Sequence, residues 1–486
     1  MTIPSNTPVL VGAAAVEQRF EDPQQGREAI ALMIEAVRTA AGQAGCDALL
    51  PRAQRIYVPK GIWNYRDPAR LIAQDLGADG ATTVLAEIGI LQQTLIGDAC
   101  QRIAAREIDC AIVAGGEAKY RGLRAQIAGQ EASETVQVDT VPDVFLQPEA
   151  EIWSQQESAA GLGMPVGFYA IMESSLRKSD GIGLDEHRER IAAMYQQFSE
   201  IAADNPHAWK RQAVSAATIR EPGPKNPMLA FPYTRLHNTS WNVDQAAGLI
   251  FTSVGRARAL GIDERHWIYP LASTESNYMQ CLASREELHG CPGAGASARA
   301  AYAAADLTPG DIRHWELYSC FPVAVSIYAR EAGVPGGVPL TVTGGMPFAG
   351  GPLNNYVYQA TVRMVEKLRE DPGTGMISSV SGLLTKQAWG LWGTQPTAPF
   401  SFVDVSEEVR AAHPGKIITG DTRGEGRIAG YTVLYHKGLA ERAVAVIDLP
   451  DGRRSVNFCQ DDVLMEKMQA EEYIGRTVQL HGGTFS

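Results

Sequence analysis

Residues 88–118 read IGILQQTLIGDACQRIAAREIDCAIVAGGEA, a helix followed directly by a strand. Apolar residues recur at helical spacing over 91–106. The DCAIVAGGE that follows is a short continuous apolar run, the pattern of a central strand covered on both faces. Upstream, PVLVGAA (8–14) predicts a buried strand, EAIALMIEAVRTAAGQA (28–44) an Ala-rich helix, and 54–59 a further strand. The second half follows the same order: a helix over 292–305, a Pro-containing loop and strand in DLTPGDIRHWELYSC, a helix over 354–370 and a strand over 373–382. This alternation predicts two related α/β halves, each a sheet covered by helices.

The remaining segments frame these halves. Residues 118–245 are irregular apart from helices near 166–178 and 184–203, and AGLIFTSV (246–254) returns to a buried strand. So long an insertion is usually functional, often a substrate cover. After TQPTAP the chain turns to short β-rich segments joined by Gly or Asp turns, which predict a small β-barrel, plausibly of OB type. The expected division is 1–117 for the N-terminal half, 118–245 for the insertion, 246–270 completing the N-terminal half, 271–395 for the C-terminal half and 396–486 for the β domain.

Composition sets outer bounds. The 486 residues are 45% hydrophobic and 20% charged, as in an ordinary soluble globular protein. A net charge of -12 argues against a nucleic-acid partner, because phosphate binding needs a basic footprint. Seven scattered cysteines form no disulfide framework and no C-x-x-C pair, so a reducing cytoplasm is the expected compartment and no metal is expected. The N-terminal apolar run has no preceding Lys or Arg and reads as a strand, not a signal peptide; no run is long enough for a membrane span.

Three stretches carry a family resemblance: the one quoted above, ELYSCFPVAV (316–325) and TVTGGMPFAGGPLNNY (341–356). Over about residues 5–395 the chain resembles the thiolase superfamily. With its β tail it is similar to the bacterial thiolase-like proteins of type 1, relatives of the sterol-carrier-protein-type thiolases. The tail also resembles the partner domains of thiolase-fold aldolases acting on CoA thioesters. The resemblance implies an α/β fold with duplicated βαβαβαββ halves in α/β/α/β/α layers, an inserted loop domain and a C-terminal OB-like all-β domain. It implies CoA or acyl-CoA as substrate or ligand, no permanently bound cofactor, and a homodimer or a monomer.

The family's catalytic positions are mostly vacant here. Its nucleophilic cysteine falls at Gly89, which has no side chain and cannot form an acyl-enzyme. Cys100 and Cys110 read as inert core cysteines. Its second motif, His-Asp-Cys-Phe in the sterol-carrier branch, appears as Tyr318-Ser319-Cys320-Phe321. A tyrosine there can donate a hydrogen bond to a thioester or enolate oxygen. Pro322 fits the first turn of a helix, which would put Cys320 at a positive helix end where a thiol pKa falls. The open alternative is a tyrosine and a cysteine that only pack.

Gly-His-Pro appears as Gly350-Gly351-Pro352, so the histidine is Gly351; the glycine-rich loop keeps backbone amides that can act as donors, or is a structural loop without a ligand. Cys-x-Gly appears as Val380-Ser381-Gly382, leaving the hydroxyl of Ser381. Lys386 reads as a solvated lysine. His237, Asn238 and the Trp241–Asp244 stretch read equally as cleft lining or as caps and turns, and His314 as a structural histidine. Lys210 and Arg211, beside Trp209, are candidate contacts for a CoA phosphate. Tyr318 and Cys320 are the candidate catalytic pair; Gly89, Phe321, Gly350, Gly351, Ser381 and Gly382 are candidate substrate contacts.

Ordinary thiolysis or Claisen condensation through a covalent intermediate is not expected. Two functions remain: retro-aldol chemistry on a CoA thioester without an acyl-enzyme, or CoA-thioester binding without catalysis.

Overall fold

The computed structural model describes residues 3–486. Its strands, in chain order, are β1 (Pro8–Glu17), β2 (Arg55–Pro59), β3 (Thr82–Ala86), β4 (Cys110–Ala118), β5 (Val144–Leu146), β6 (Met228–Ala230), β7 (Tyr233–Thr234), β8 (Asp244–Ser253) and β9 (Tyr269–Ser276). They continue as β10 (His314–Glu316), β11 (Thr374–Ser381), β12 (Lys386–Gly393), β13 (Ser401–Asp404), β14 (Arg423–His436), β15 (Leu439–Asp448), β16 (Arg454–Cys459) and β17 (Thr477–His481).

The duplication is visible in strand order. The first sheet runs β1-β8-β4-β2-β3-β5 and the second β10-β11-β12-β9-β13. In both, four strands repeat one pattern. β2 and β10 pair in parallel with β4 and β11, which pair antiparallel with β8 and β12, and these pair antiparallel with β1 and β9. The third strand of the first half, β3, has no counterpart; among the described residues its place in the second half is irregular chain. The two sheets face each other across a central layer made by the helices Gln92–Ala104 and Tyr356–Glu370. The helices Ala29–Ala44 and Pro292–Ala305 cover the outer faces.

The central helices bury most of their first turns, and in Tyr356–Glu370 the charged residues gather toward the C-terminal end. Gln92–Ala104 buries Leu95, Ile96, Ala99, Cys100 and Ile103, and Cys110 is buried in β4, so both cysteines are core residues as expected. The predicted helices at 28–44, 292–305 and 354–370 fall at Ala29–Ala44, Pro292–Ala305 and Tyr356–Glu370.

The third sheet runs β16-β15-β14-β6-β7 with β17 paired to β14, so the C-terminal strands form a mainly β unit. The insertion contributes β6 and β7 to this sheet, and the Phe231 N–H donates to the Val433 carbonyl at 2.9 Å. The insertion's helix Pro165–Ser179 packs on β14, where Ser174 Oγ accepts from the Tyr431 N–H at 3.0 Å and Arg177 forks onto the Glu472 carboxylate at 2.9 and 3.0 Å. Buried Arg454 reaches back to the carbonyls of Ala283 and Glu286 in the second half, at 3.4 and 3.0 Å. Among the described residues no helix is long and apolar enough to cross a membrane.

Candidate functional site

Residues 341–351, standing where β3's counterpart would be, are organised by one buried carboxylate. Glu316 at the end of β10 accepts from the N–H groups of Val342 and Thr343 at 2.8 and 2.9 Å. It also accepts from the hydroxyls of Thr341, Thr343 and Tyr356 at 2.9, 3.0 and 2.5 Å. Without these donors a fully buried carboxylate would be very costly. Burial still raises its pKa. An acidic residue inside the apolar run WELY is the one sequence signal for this organising role.

The four motif segments are joined by direct contacts. The Tyr318 N–H donates to Ser378 Oγ at 2.7 Å, and Ser319 Oγ accepts from the Met346 N–H at 3.0 Å. Thr239 Oγ1 donates to the Cys320 carbonyl at 3.4 Å, while its methyl occupies the space beside Gly351. The Gln92 amide, in the first turn of the helix after Gly89, faces the Tyr318 hydroxyl, and its Nε2 lies 3.4 Å from Asn354 Oδ1.

The motif glycines are closely packed by neighbours. At Gly89, with φ at +110°, an added Cβ would lie 2.8 and 2.9 Å from ring carbons of Pro148. At Gly382, with φ at +69°, it would lie 2.2 Å from Thr385 Oγ1 and 3.0 Å from Ile152. At Gly351 it would lie 2.2 Å from the Thr239 methyl and 3.0 Å from Met346. At Gly350, with φ at +100°, it would meet Gln245 Oε1 at 2.2 Å. Pro148, from a strap at 147–153, thus stands where the family side chain at 89 would be, and the Thr239 methyl where that at 351 would be, whereas Gly350 and Gly382 are glycines of the motifs themselves. Residues of the insertion therefore pack against these segments.

Tyr318, Cys320 and Phe321 are buried together at the start of the helix Pro322–Glu331. Phe321 stacks on Tyr169 with ring centroids 4.4 Å apart and on Tyr233 at 5.7 Å. The expected lowering of the Cys320 pKa is overturned: burial pushes the thiol up to about 12, outweighing its hydrogen bond with Tyr169 and the backbone N–H of Phe321. A helix end favours a thiolate by about 1 kcal/mol, whereas removing the anion from water costs several times that. Cys320 is therefore a neutral thiol, not a base. Burial likewise raises the Tyr318 pKa, the nearby Gln92 amide opposing this only in part, so its hydroxyl stays protonated.

Other candidates fall into place. Lys210 is half-buried and turned toward the glycine loop, donating to Ser240 Oγ at 2.7 Å and the Pro347 carbonyl at 3.2 Å. Burial, with Arg235 and Arg19 nearby, lowers its pKa to about 8. Arg211 is exposed. Trp209 meets Tyr120 edge-on at 5.3 Å and carries the Arg19 guanidinium 5.1 Å from its ring. His237 caps with Thr234 and burial lowers its pKa to about 3, Asn238 donates to the Thr234 carbonyl, and Asp244 accepts from the Arg121 N–H, so the cap and turn readings hold. His314 bonds the Asp371 carbonyl at 3.0 Å, a structural role.

Lys386 is not the solvated lysine expected. It is the first residue of β12, 4% exposed, directly opposite Ser381 in the β11–β12 pair. Among the described residues no group of three His, Cys, Asp or Glu side chains is placed to hold a metal ion.

No family model matches the chain. Acetyl-CoA acetyltransferase of Methanothermobacter thermautotrophicus is 24% identical over 324 residues, which cover 62% of this chain and 80% of that one. A monomeric SCP2-thiolase-like protein of type 1 from Mycobacterium smegmatis superposes with a TM-score of 0.84 at 24% identity, over 100% of both chains. The Ltp2-ChsH2(DUF35) aldolase superposes with a TM-score of 0.56 at 16% identity, over 80% of this chain and 98% of that one. The protein has the thiolase fold, with duplicated halves, an inserted covering segment and a mainly β C-terminal unit.

Proposed function

We propose that this protein acts on coenzyme A thioesters without forming an acyl-enzyme, cleaving a β-hydroxyacyl-CoA in a retro-aldol reaction. The observation that carries this reading is Tyr318, a buried hydroxyl that burial keeps protonated, beside the Gln92 amide and the Cys320–Phe321 pair. Such a donor is worth most where negative charge develops on a thioester oxygen as the Cα–Cβ bond breaks. The missing nucleophile is then no defect, because this route needs an enolate hole and a proton-transfer group but no covalent carrier. Phe321, the Gly350–Gly351 loop, Gly89 and the Ser381–Gly382 turn would border the acyl portion. Arg211, with Arg19 and Arg235 around Lys210, would meet the CoA phosphates. CoA is substrate here and no resident cofactor is invoked. The C-terminal β unit is read as an OB-type accessory domain, and the seven unpaired thiols suit a reducing cytoplasm.

The test is incubation with a panel of β-hydroxyacyl-CoA thioesters, measuring aldehyde release. Tyr318→Phe is expected to lower the rate about 100-fold with little change in KM. No aldehyde across a broad panel refutes the reading.

A second reading, thioester binding without catalysis, is favoured by the packing of Pro148 and Thr239 into the vacant positions at Gly89 and Gly351. It predicts tight CoA binding that is the same in wild type, Tyr318→Phe and Cys320→Ala.

A further inference from the structure

The retro-aldol reading lacks a base, since Cys320 and Tyr318 are both held protonated. A polar band on the inner face of the second sheet supplies one. Side chains of a strand alternate between faces, and directly paired antiparallel residues share a face. Ser379 and Ser381 of β11 therefore lie on one face with their partners Ala388 and Lys386 of β12, and with Glu275 of β9, which pairs with Ala388. This face looks at the first turn of the helix Gln92–Ala104, because Thr94 Oγ1 donates to Glu275 Oε2 there. Tyr318 sits at the same end of the neighbouring strand, bonded to Ser378.

Lys386 is nearly buried, and among the described residues none accepts a hydrogen bond or forms an ion pair with its ammonium. The carboxylates facing it are Glu275 from β9, Glu149 from the strap and Asp404 from β13. Burial lowers the lysine pKa, the carboxylates opposing this only in part. Glu275 is held by Asn277 at 2.8 Å and by Thr94, and burial raises it to about 7. On the same face, Ser379 Oγ is buried without a partner among the described residues.

We propose that Lys386 is the acid–base residue of this site and that Glu275 is the residue that positions it. β10 and β12 flank β11, so their backbones lie about 10 Å apart. Tyr318 follows β10 and Lys386 opens β12, so the two residues stand on either side of β11. Given the retro-aldol reading, on which this assignment rests, the neutral Lys386 amine removes the β-hydroxyl proton. The O–H electron pair becomes the aldehyde C=O, the Cα–Cβ pair moves into the enolate, and Tyr318 donates to its oxygen. The ammonium then returns the proton to Cα, giving the shortened acyl-CoA and free amine.

Two measurements on the full chain decide this. The first is an NMR titration of 13C-methylated lysines, the Lys386 signal being identified by its loss in Lys386→Met. It is expected to titrate below the surface lysines and to move in Glu275→Gln. The second is α-deuterium exchange of propionyl-CoA in D2O. Lys386→Met is expected to slow it about 100-fold while thioester binding stays within about threefold, and propylamine is expected to restore part of the rate in Lys386→Ala. Unchanged exchange in Lys386→Met, no exchange in wild type that binds the thioester, or titration with the surface lysines overturns the assignment. Wild type that binds no CoA thioester refutes the retro-aldol reading instead. In that case the titration alone decides Lys386: an ordinary value rejects it, and a lowered, Glu275-dependent value keeps it for another carbonyl substrate.

Discussion

Putting a cysteine back at position 89 should damage the protein without making it a thiolase. Gly89 has φ at +110°, and its missing Cβ would lie 2.8 and 2.9 Å from Pro148 Cγ and Cβ. A residue with a Cβ in a left-handed conformation costs about 1–3 kcal/mol. Overpacking against a ring in a closed site costs about 1–3 kcal/mol more. Gly89→Cys is therefore expected to lose about 2–6 kcal/mol, a large share of the ~5–15 kcal/mol typical of a domain. The two contributions separate. Pro148→Gly removes the clashing ring, so Gly89→Cys/Pro148→Gly should regain the packing part and keep the backbone part. Urea unfolding of the four proteins gives the coupling energy directly. A Gly89→Cys protein within about 0.5 kcal/mol of wild type would refute the reasoning. So would acetylation of the new cysteine by acetyl-CoA, seen as a mass increase.

Three further outcomes are expected. Cys320, held protonated with its thiol near 12, should resist iodoacetamide in the folded protein at pH 8 and react only once it is unfolded, as read by peptide mass. Acetoacetyl-CoA thiolysis should be absent in wild type at any pH, measured by loss of the enolate absorbance. Glu275 has its folded pKa raised from 4.5 to about 7, so its contribution to stability is fully present below pH 4.5 and lost as pH rises through 7. Relative to wild type, Glu275→Gln should flatten the stability–pH curve in that window by up to about 3 kcal/mol; parallel curves for the two proteins would contradict the assigned burial.

Much of the fold could be read from periodicity because the central helices and strands are long and apolar. The vacancies at 89 and 351 could be read because glycine is unmistakable where a family needs a side chain, and that at 380 because valine stands where the family has cysteine. Other features depend on residues far apart in the chain. The pairing of Phe231 with Val433, which adds an insertion hairpin to the C-terminal sheet, leaves no local mark. KQAWGLWG lacks the alternation of a half-exposed strand because β12 is buried on both faces, so the burial of its solvated-looking lysine leaves no local mark. Cys320 was misjudged because a helix start is a local signal, whereas the burial that dominates its proton affinity comes from Tyr169, Tyr195 and Tyr318 around it.

The short strand β5 has a consequence of its own. It lies in parallel beside β3 at the sheet's margin, three residues long, with Pro142 before it and Pro148 two residues after it. A border so brief and so closely hemmed by prolines is a poor template for another chain to extend. The same few residues carry Pro148 onto Gly89, so the hem of the sheet and the stopper of the cleft are one piece of thread. Loosening either end slackens the other, and access to the interior is tied to whether the molecule remains sealed against its neighbours.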